Sequence, residues 1–249
     1  MTVQTDRSKT TVEELAARSR GELLPLNNQF SYFSVLPIAE EDLRQYLQEP
    51  VVSISAAVCK LLPNIGFILV PYIEKVNGKG SPVVSLEPPP ESRNLYAMRC
   101  EVDRMQFIIL AIKDEQVADY HYTLFAEIAM IASTRWTPRI EEEYTRLLRE
   151  ELKLEVHGEL DERSWHLKQA LLRRQSNVKK ESKPFRDYAS QSFADTLTLY
   201  LHGTCCDIDV ETGPRQLPSR CIRRRLELFE SLFPPPEGFT VFPEHLKKR

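Results

Sequence analysis

Tyr120-His121-Tyr122-Thr123-Leu124-Phe125-Ala126-Glu127-Ile128-Ala129-Met130-Ile131-Ala132-Ser133 is the stretch on which the reading of this chain turns. From Leu124 to Ala132, nine consecutive residues carry a single polar side chain, Glu127. A helix that is apolar on every face belongs in a protein interior, so a buried helix is predicted from about Tyr120 to Ser133. Glu127 is then a carboxylate in apolar surroundings, which costs several kcal/mol unless it is paired, coordinated or protonated. Two readings stand side by side. Either Glu127 faces a groove or pairs with an arginine, or it is the remnant of a catalytic carboxylate.

Upstream, Leu95 to Val102 alternates Leu, Ala, Arg and Glu with Tyr, Met, Cys and Val, whereas Met105 to Ile112 is almost wholly apolar. Asp103-Arg104 between them reads as the tight connection of a β-hairpin. Residues 77–94, NGKGSPVVSLEPPPESRN, read as a loop. Before it, Gly66-Phe67-Ile68-Leu69-Val70 is a strand, extended past Pro71 by Tyr72 and Ile73. A helix capped by Ser53 is predicted to run to Leu62, and a short polar helix from Glu40 to Gln48 to stop at Pro50. Residues 21–38 are turn-rich. Thr10 or Thr11 opens the first helix, with Glu13 and Glu14 at capping-box spacing.

Downstream, Pro138 opens a helix from Ile140 to about Leu154, rich in Glu-Arg pairs, and another spans Glu159 to Gln175. SNVKKESKP, residues 176–184, is the linker candidate. Phe185 to Leu201 follows at helical spacing with Gly203 as its C-terminal cap. A basic-faced helix from Pro218 to Phe233 and a proline-rich extended tail complete the reading.

Composition excludes several classes. The chain has 249 residues, and 33 Lys+Arg against 36 Asp+Glu give a net charge of -3. That balance argues against a dedicated binder of nucleic acid or anionic membranes. Only 8 glycines occur, and no glycine-rich phosphate cradle is among them. The apolar run Val51–Ile73 is broken by Lys60, Pro63-Asn64 and Gly66, which argues against a membrane span. MTVQTDRSKT has no apolar core of a secretory signal. The five cysteines lack C-x-x-C spacing, and Cys59 and Cys100 read as reduced core thiols. A cytoplasmic setting is expected.

The order helix, strand beginning at a glycine, hairpin, short polar loop and apolar helix resembles the IrrE/ImmA-type zinc metallopeptidase domain. Members of that family carry a stretch like RFTLAHELGHLL, against which this chain places Tyr122-Thr123-Leu124-Phe125-Ala126-Glu127-Ile128-Ala129-Met130-Ile131. Thr123-Leu124, Glu127 and the flanking apolar residues match. The two histidines of H-E-x-x-H fall on Ala126 and Met130. That motif places two imidazoles on one helix face to hold zinc, with the glutamate between them as general base. Alanine offers no donor, and a thioether is a poor zinc ligand. The resemblance implies a third, acidic ligand on a later helix, for which Glu162 or Asp161 is the candidate. It covers residues 50–175, roughly half the chain.

Other constellations are weighed beside it. His202-Gly203-Thr204-Cys205-Cys206-Asp207-Ile208-Asp209 is the densest run of potential ligands, but it lacks a second half with ligand spacing. Cys205 or Cys206 would need a neighbouring histidine to act as a nucleophile. His121, one turn before Phe125, is either a displaced ligand or a structural residue. Arg220, Arg223, Arg224 and Arg225 form a basic patch that either contacts phosphates or is a solvated face.

The expectation is an α+β fold in which a small, mainly antiparallel sheet of about three strands is packed by helices in zincin-like fashion. Residues 1–49 form a helical or irregular segment, 50–175 the metallopeptidase-like domain, and 183–249 a helical C-terminal region. Function is expected to be that of a non-catalytic, degenerate peptidase-like module that binds a regulatory protein and needs no cofactor. Two alternatives are kept. One is an active zinc-dependent hydrolase with a rearranged site drawing on Glu127, His121, Glu162 or the His202-Cys205-Cys206 run. The other is a helical module that binds a partner or nucleic acid through Arg223, Arg224 and Arg225.

Overall fold

The computed structural model describes residues 10–76, 78, 80–113, 116–173, 178, 182–206, 215–242 and 244. The chain divides into two compact units, one made of Met1–Glu49 with Pro63–Glu127 and the other of Pro50–Leu62 with Ile128–Arg249. In chain order the elements are β1 (Thr10–Thr11), α1 (Val12–Ser19), β2 (Leu24–Pro25), β3 (Phe30–Ser34), α2 (Glu40–Leu43), α3 (Glu49–Ser53) and α4 (Ala56–Cys59). They continue with β4 (Ile65–Val70), β5 (Tyr72–Glu74), β6 (Val83–Ser85), β7 (Asn94–Leu95), β8 (Ala97–Val102), β9 (Met105–Ala111) and α5 (Val117–Ala132). Last come α6 (Pro138–Lys153), α7 (Glu162–Leu172), α8 (Lys183–Cys205) and α9 (Ser219–Leu232). The fold is α+β, and no helix among the described residues is long and apolar enough to cross a membrane.

In the first unit a five-stranded sheet runs in the order β2-β3-β4-β9-β8. The β3-β4 and β4-β9 ladders are parallel, while β2-β3 and β8-β9 are antiparallel. The expected antiparallel sheet of three strands is therefore corrected to a mixed sheet. Every residue of β4 is buried, as befits a parallel strand covered on both faces. β3 escapes a sequence reading because FSYFS interleaves its aromatics with serines. Gly66 on β4 is required by close approach, since a Cβ there would lie 2.8 Å from the Phe107 ring on β9.

Pro71 separates β4 from β5, which belongs to a second, antiparallel sheet of order β1-β6-β5-β7. The expected single strand through Pro71 is thus two strands in two sheets, because proline cannot donate to a ladder. The stretch read as a loop holds β6, whose Val83 and Val84 are buried. Ile68, Val70, Phe107, Ile109 and Ala111 share one sheet face with Val12, Leu15 and Ala16 of α1. Thr11 caps α1 in a complete capping box with Glu14.

The helix boundaries around Pro50 differ from expectation. Pro50 does not end the helix from Glu40; the chain passes through a π-helical turn at Arg44–Gln48 and continues as α3. A widened turn relieves the clash between a proline ring and the carbonyl four residues earlier. Ser53 closes α3, and Ser55 is the residue whose side chain caps α4, accepting from Val58 N.

The second unit, among its described residues, is helical apart from one isolated bridge, Glu159 with Gln216. The 23-residue α8 packs against α6, α7 and α9. Gly203 lies inside α8 and is not its cap, since the helix runs to Cys205. Trp136, Tyr144, Phe193 and Phe229 interlock, with Phe193 centred 5.0 Å from both Trp136 and Phe229 and 5.4 Å from Tyr144. Residues 128–175 and the C-terminal region belong to this same unit. The linker expected at 176–184 lies largely outside the described residues.

Candidate functional site

The β8-β9 hairpin forms in the expected register, Val102 opposite Met105. Asp103 and Arg104 both have positive φ, 48° and 67°, the geometry of the two-residue turn whose twist matches paired strands. Side chains alternate across β8: Met98, Cys100 and Val102 pack on the core shared with α1, while Arg99 and Glu101 point away from it.

On that other side Arg99 Nε forms an ion pair with Glu127 Oε2 on α5. Burial pushes the Glu127 carboxyl upward and Arg99 opposes it by charge and hydrogen bonding, the net direction being up. Of the two readings of Glu127, the structure realises the arginine pair. Thr123, Ala126, Glu127 and Met130 occupy one half-buried stripe of α5, whereas Leu124, Phe125, Ile128, Ala129 and Ala132 are fully buried. The helix is therefore not enclosed on every side. Its donor set does not fit zinc, for Ala126 has no ligand atom, the Met130 thioether is soft, and Glu127 is held by a guanidinium.

His121 is buried on α5 with Nε2 2.8 Å from the Gln45 carbonyl oxygen. A carbonyl only accepts, so Nε2 carries the proton. Tyr120 stacks edge-on against Tyr46 at 4.7 Å, and the His121 ring lies 6.4 Å from Phe125. His121 thus anchors the segment around Gln45.

In the second unit Asp161 is the N-cap of α7, its side chain accepting from Arg163 N at 2.8 Å. Glu162 is exposed, 3.4 Å from His166 and 4.0 Å from Arg215. Both acidic candidates are occupied at a helix start. His202, Cys205 and Cys206 lie at the last turn of α8, where Cys206 N–H donates to the His202 carbonyl at 2.7 Å. Asp207 and Asp209 lie outside the described residues. Burial raises the Cys59 thiol, and burial with Glu13 nearby pushes Cys100 up to about 11, so neither is a reactive thiolate.

The basic patch is corrected. Arg225 is wholly buried, whereas Arg223 and Arg224 are exposed. Arg223 pairs with Glu227 at 2.9 Å and Glu244 at 2.8 Å and lies over the Phe242 ring, and Arg224 pairs with Glu150. The cause is phase: Arg225 falls with Cys221, Ile222, Leu226 and Phe229 on the buried stripe of α9.

Arg225 is the centre of a buried cluster that composition did not reveal. Its guanidinium donates to Glu159 Oε2 at 2.8 Å, Glu151 Oε2 at 2.6 Å and Ser192 Oγ at 2.9 Å. Lys168 Nζ reaches Glu159 Oε1 at 3.2 Å and the Gly158 carbonyl at 2.9 Å, and Tyr188 hydrogen-bonds to the same Glu159 oxygen. Tyr144 OH lies 2.9 Å from both Ser192 and Thr196. Two cations meet two carboxylates, so the buried charge balances. Burial would raise the Glu159 carboxyl, but Arg225, with Lys168 and Tyr188 adding to it, holds it down to about 2. Arg225 is stabilised in its charged form against burial by Glu159, and burial raises Tyr144 and Tyr188. Gly158, at φ 80°, is obligatory beside this cluster, since a Cβ would lie 2.2 Å from the Gln216 carbonyl oxygen. With Arg225, Glu151, Glu159 and Lys168 at most 2% exposed, the cluster joins α6, α7, α8 and α9 and offers no substrate access. A charge at helical spacing within each apolar stripe, Glu151 behind Tyr144, Leu147 and Leu148 and Arg225 between Ile222 and Phe229, was the sequence signal for it.

No family model, curated protein or solved structure matches this chain.

Proposed function

We propose that this chain is a non-catalytic, degenerate IrrE/ImmA-type metallopeptidase-like module that acts by binding a regulatory protein, in the cytoplasm and without a cofactor. The observation that supports this reading is the half-open stripe of α5. The positions matching the zinc histidines are Ala126 and Met130, and the glutamate between them is paired with Arg99. A carboxylate engaged in this way supports the hairpin-helix contact and is poorly disposed to take a proton from water. The resemblance rests on the order of elements and on the Thr123-Leu124 and Glu127 matches, and the zincin-like relation belongs to the proposal.

Metal content of protein purified without chelator or affinity tag tests it. The expected result is no stoichiometric zinc, manganese or iron, and about one metal per chain in the wild type overturns the non-catalytic reading. The double substitution Ala126→His with Met130→His places two imidazoles four residues apart on one helix face. A folded double variant that gains zinc supports the peptidase-like scaffold; one that stays folded and binds none overturns it.

A further inference from the structure

Proline triplets occur twice in this chain, and the fold treats them differently. Pro234-Pro235-Pro236 follows the buried Phe233, and its last two rings are half-buried. Pro88-Pro89-Pro90 belongs to the first unit, where it lies between β6 and β7. Pro88 and Pro90 are exposed, Pro89 is half-buried, and Leu86 just before them is 67% exposed. This segment is independent of the α5 reading.

Local chemistry dictates its shape. A proline ring locks φ at about −65°, and a residue that precedes proline is driven to extended ψ. Glu87, Pro88 and Pro89 all precede proline, and Pro90 has φ −55° and ψ 141°. The result is a turn of polyproline II helix, which makes no hydrogen bonds of its own.

The fold pins both ends of that turn. Ser85 Oγ on β6 donates to the Glu87 carbonyl at 2.7 Å and accepts from the Glu87 N–H at 3.2 Å. Arg93 N–H donates to the Pro90 carbonyl at 2.8 Å. β6 and β7 are in turn both paired with β5. Three consecutive residues lack an N–H, so the stretch is a poor template for a further strand. No backbone N–H among the described residues donates to the Pro88 or Pro89 carbonyl. A cavity of about 520 Å³ runs along the strip, with the three prolines, Leu15, Val35 and Val84 in its wall.

We propose that residues 86–91 are a docking strip for a protein module whose groove is built of parallel aromatic rings with a basic rim. Such rings pack against a preformed polyproline II turn at little ordering cost. Indole N–H and tyrosine O–H groups in the groove supply donors to the Pro88 and Pro89 carbonyls. Leu86 adds an apolar anchor. The exposed carboxylates of Glu87 and Glu91, one at each end of the triplet, select a rim that carries lysine or arginine.

The test titrates the ¹⁵N-labelled full chain with three purified modules that bind polyproline II segments, an SH3, a WW and an EVH1 domain. Each is chosen with basic residues beside its groove. The expected result is a saturable shift of the Leu86, Glu87 and Glu91 amide signals with at least one module. It is lost when an aromatic residue of that module's groove is replaced by alanine. The Glu237 and Gly238 signals beside the second triplet stay in place. Replacing all three prolines, Pro88→Ala, Pro89→Ala and Pro90→Ala, is expected to abolish binding with the circular dichroism retained. A second variant leaves the prolines intact: Glu87→Lys with Glu91→Lys, both exposed, is expected to weaken binding roughly tenfold and to remove its sensitivity to salt. No shift with any of the three modules at millimolar concentration overturns the proposal, as does binding that survives loss of the prolines or shifts confined to the second triplet. Binding unaffected by the charge reversal overturns the basic rim.

Discussion

Arg225 and Arg223 are two residues apart and of one type, yet their expected contributions differ completely. Removing one partner from a buried ion cluster strands the opposite charges, so Arg225→Ala is expected to cost roughly 3–5 kcal/mol in chemical denaturation. Arg223→Ala should leave the midpoint almost unmoved, because its pairs with Glu227 and Glu244 are solvent-exposed. Equal effects of the two substitutions would contradict the helix phase described for α9. That phase was legible in the sequence: Arg225 is three residues after Ile222 and four before Phe229. Clustering by sequence adjacency hid it, since neighbours on a helix point a hundred degrees apart. Glu127 was the opposite case. Its burial was inferred from its neighbours, but its partner Arg99 lies on a strand, and pairing across elements is not written in local spacing.

Among elements, those with their signals in one short stretch were legible. Alternation in β8, the apolar run of β9 and the two residues between them identify the hairpin. Neither turn residue is glycine, although both have positive φ. Arg104→Gly is therefore expected to raise stability by about 1 kcal/mol, read as a higher denaturation midpoint. The end of α6 offers a parallel case. Val156 N–H donates to the Glu151 carbonyl and Glu155 N–H to the Leu152 carbonyl, with Glu155 at φ 50°, a Schellman cap in which glycine is the ordinary occupant. By contrast Gly66→Ala should destabilise by roughly 1–3 kcal/mol, because the Phe107 ring would have to yield. Elements whose existence depends on distant partners were not legible. β3 and β6 are strands because β4 and β5 pair with them, and FSYFS or VVS alone does not announce it.

At the scale of the molecule, two carboxylates set opposite pH dependences. Glu159 is held down to about 2, so its contribution is complete above the ordinary carboxylate range and is lost as pH falls toward 2. Asp195 on α8 is pushed up to about 6, chiefly by burial, with a hydrogen bond from Gln191 at 2.7 Å opposing. It binds a proton more readily in the native state than in the unfolded one, so it costs stability as pH rises from about 4 through 6. Asp195→Asn is expected to gain on the order of 2 kcal/mol at pH 7 and to flatten denaturation midpoints between pH 4 and 6. A midpoint that still falls over that interval in the variant would assign the pH dependence elsewhere. The α+β class was legible from the alternation of periodicities along the chain. The parallel ladders and the assignment of residues 50–62 to the later unit were not, since both are facts of long-range pairing.

That last assignment has a consequence for biosynthesis. Residues 50–62 leave the ribosome before 63–127, carrying Val51, Ile54, Val58, Leu61 and Leu62, all buried in the finished protein. The remainder of their unit, 128–249, is made only after the whole of 63–127. At about 5–20 residues per second the wait for that partner is on the order of ten seconds. During that interval these five apolar side chains lack the rest of the unit in which they are buried.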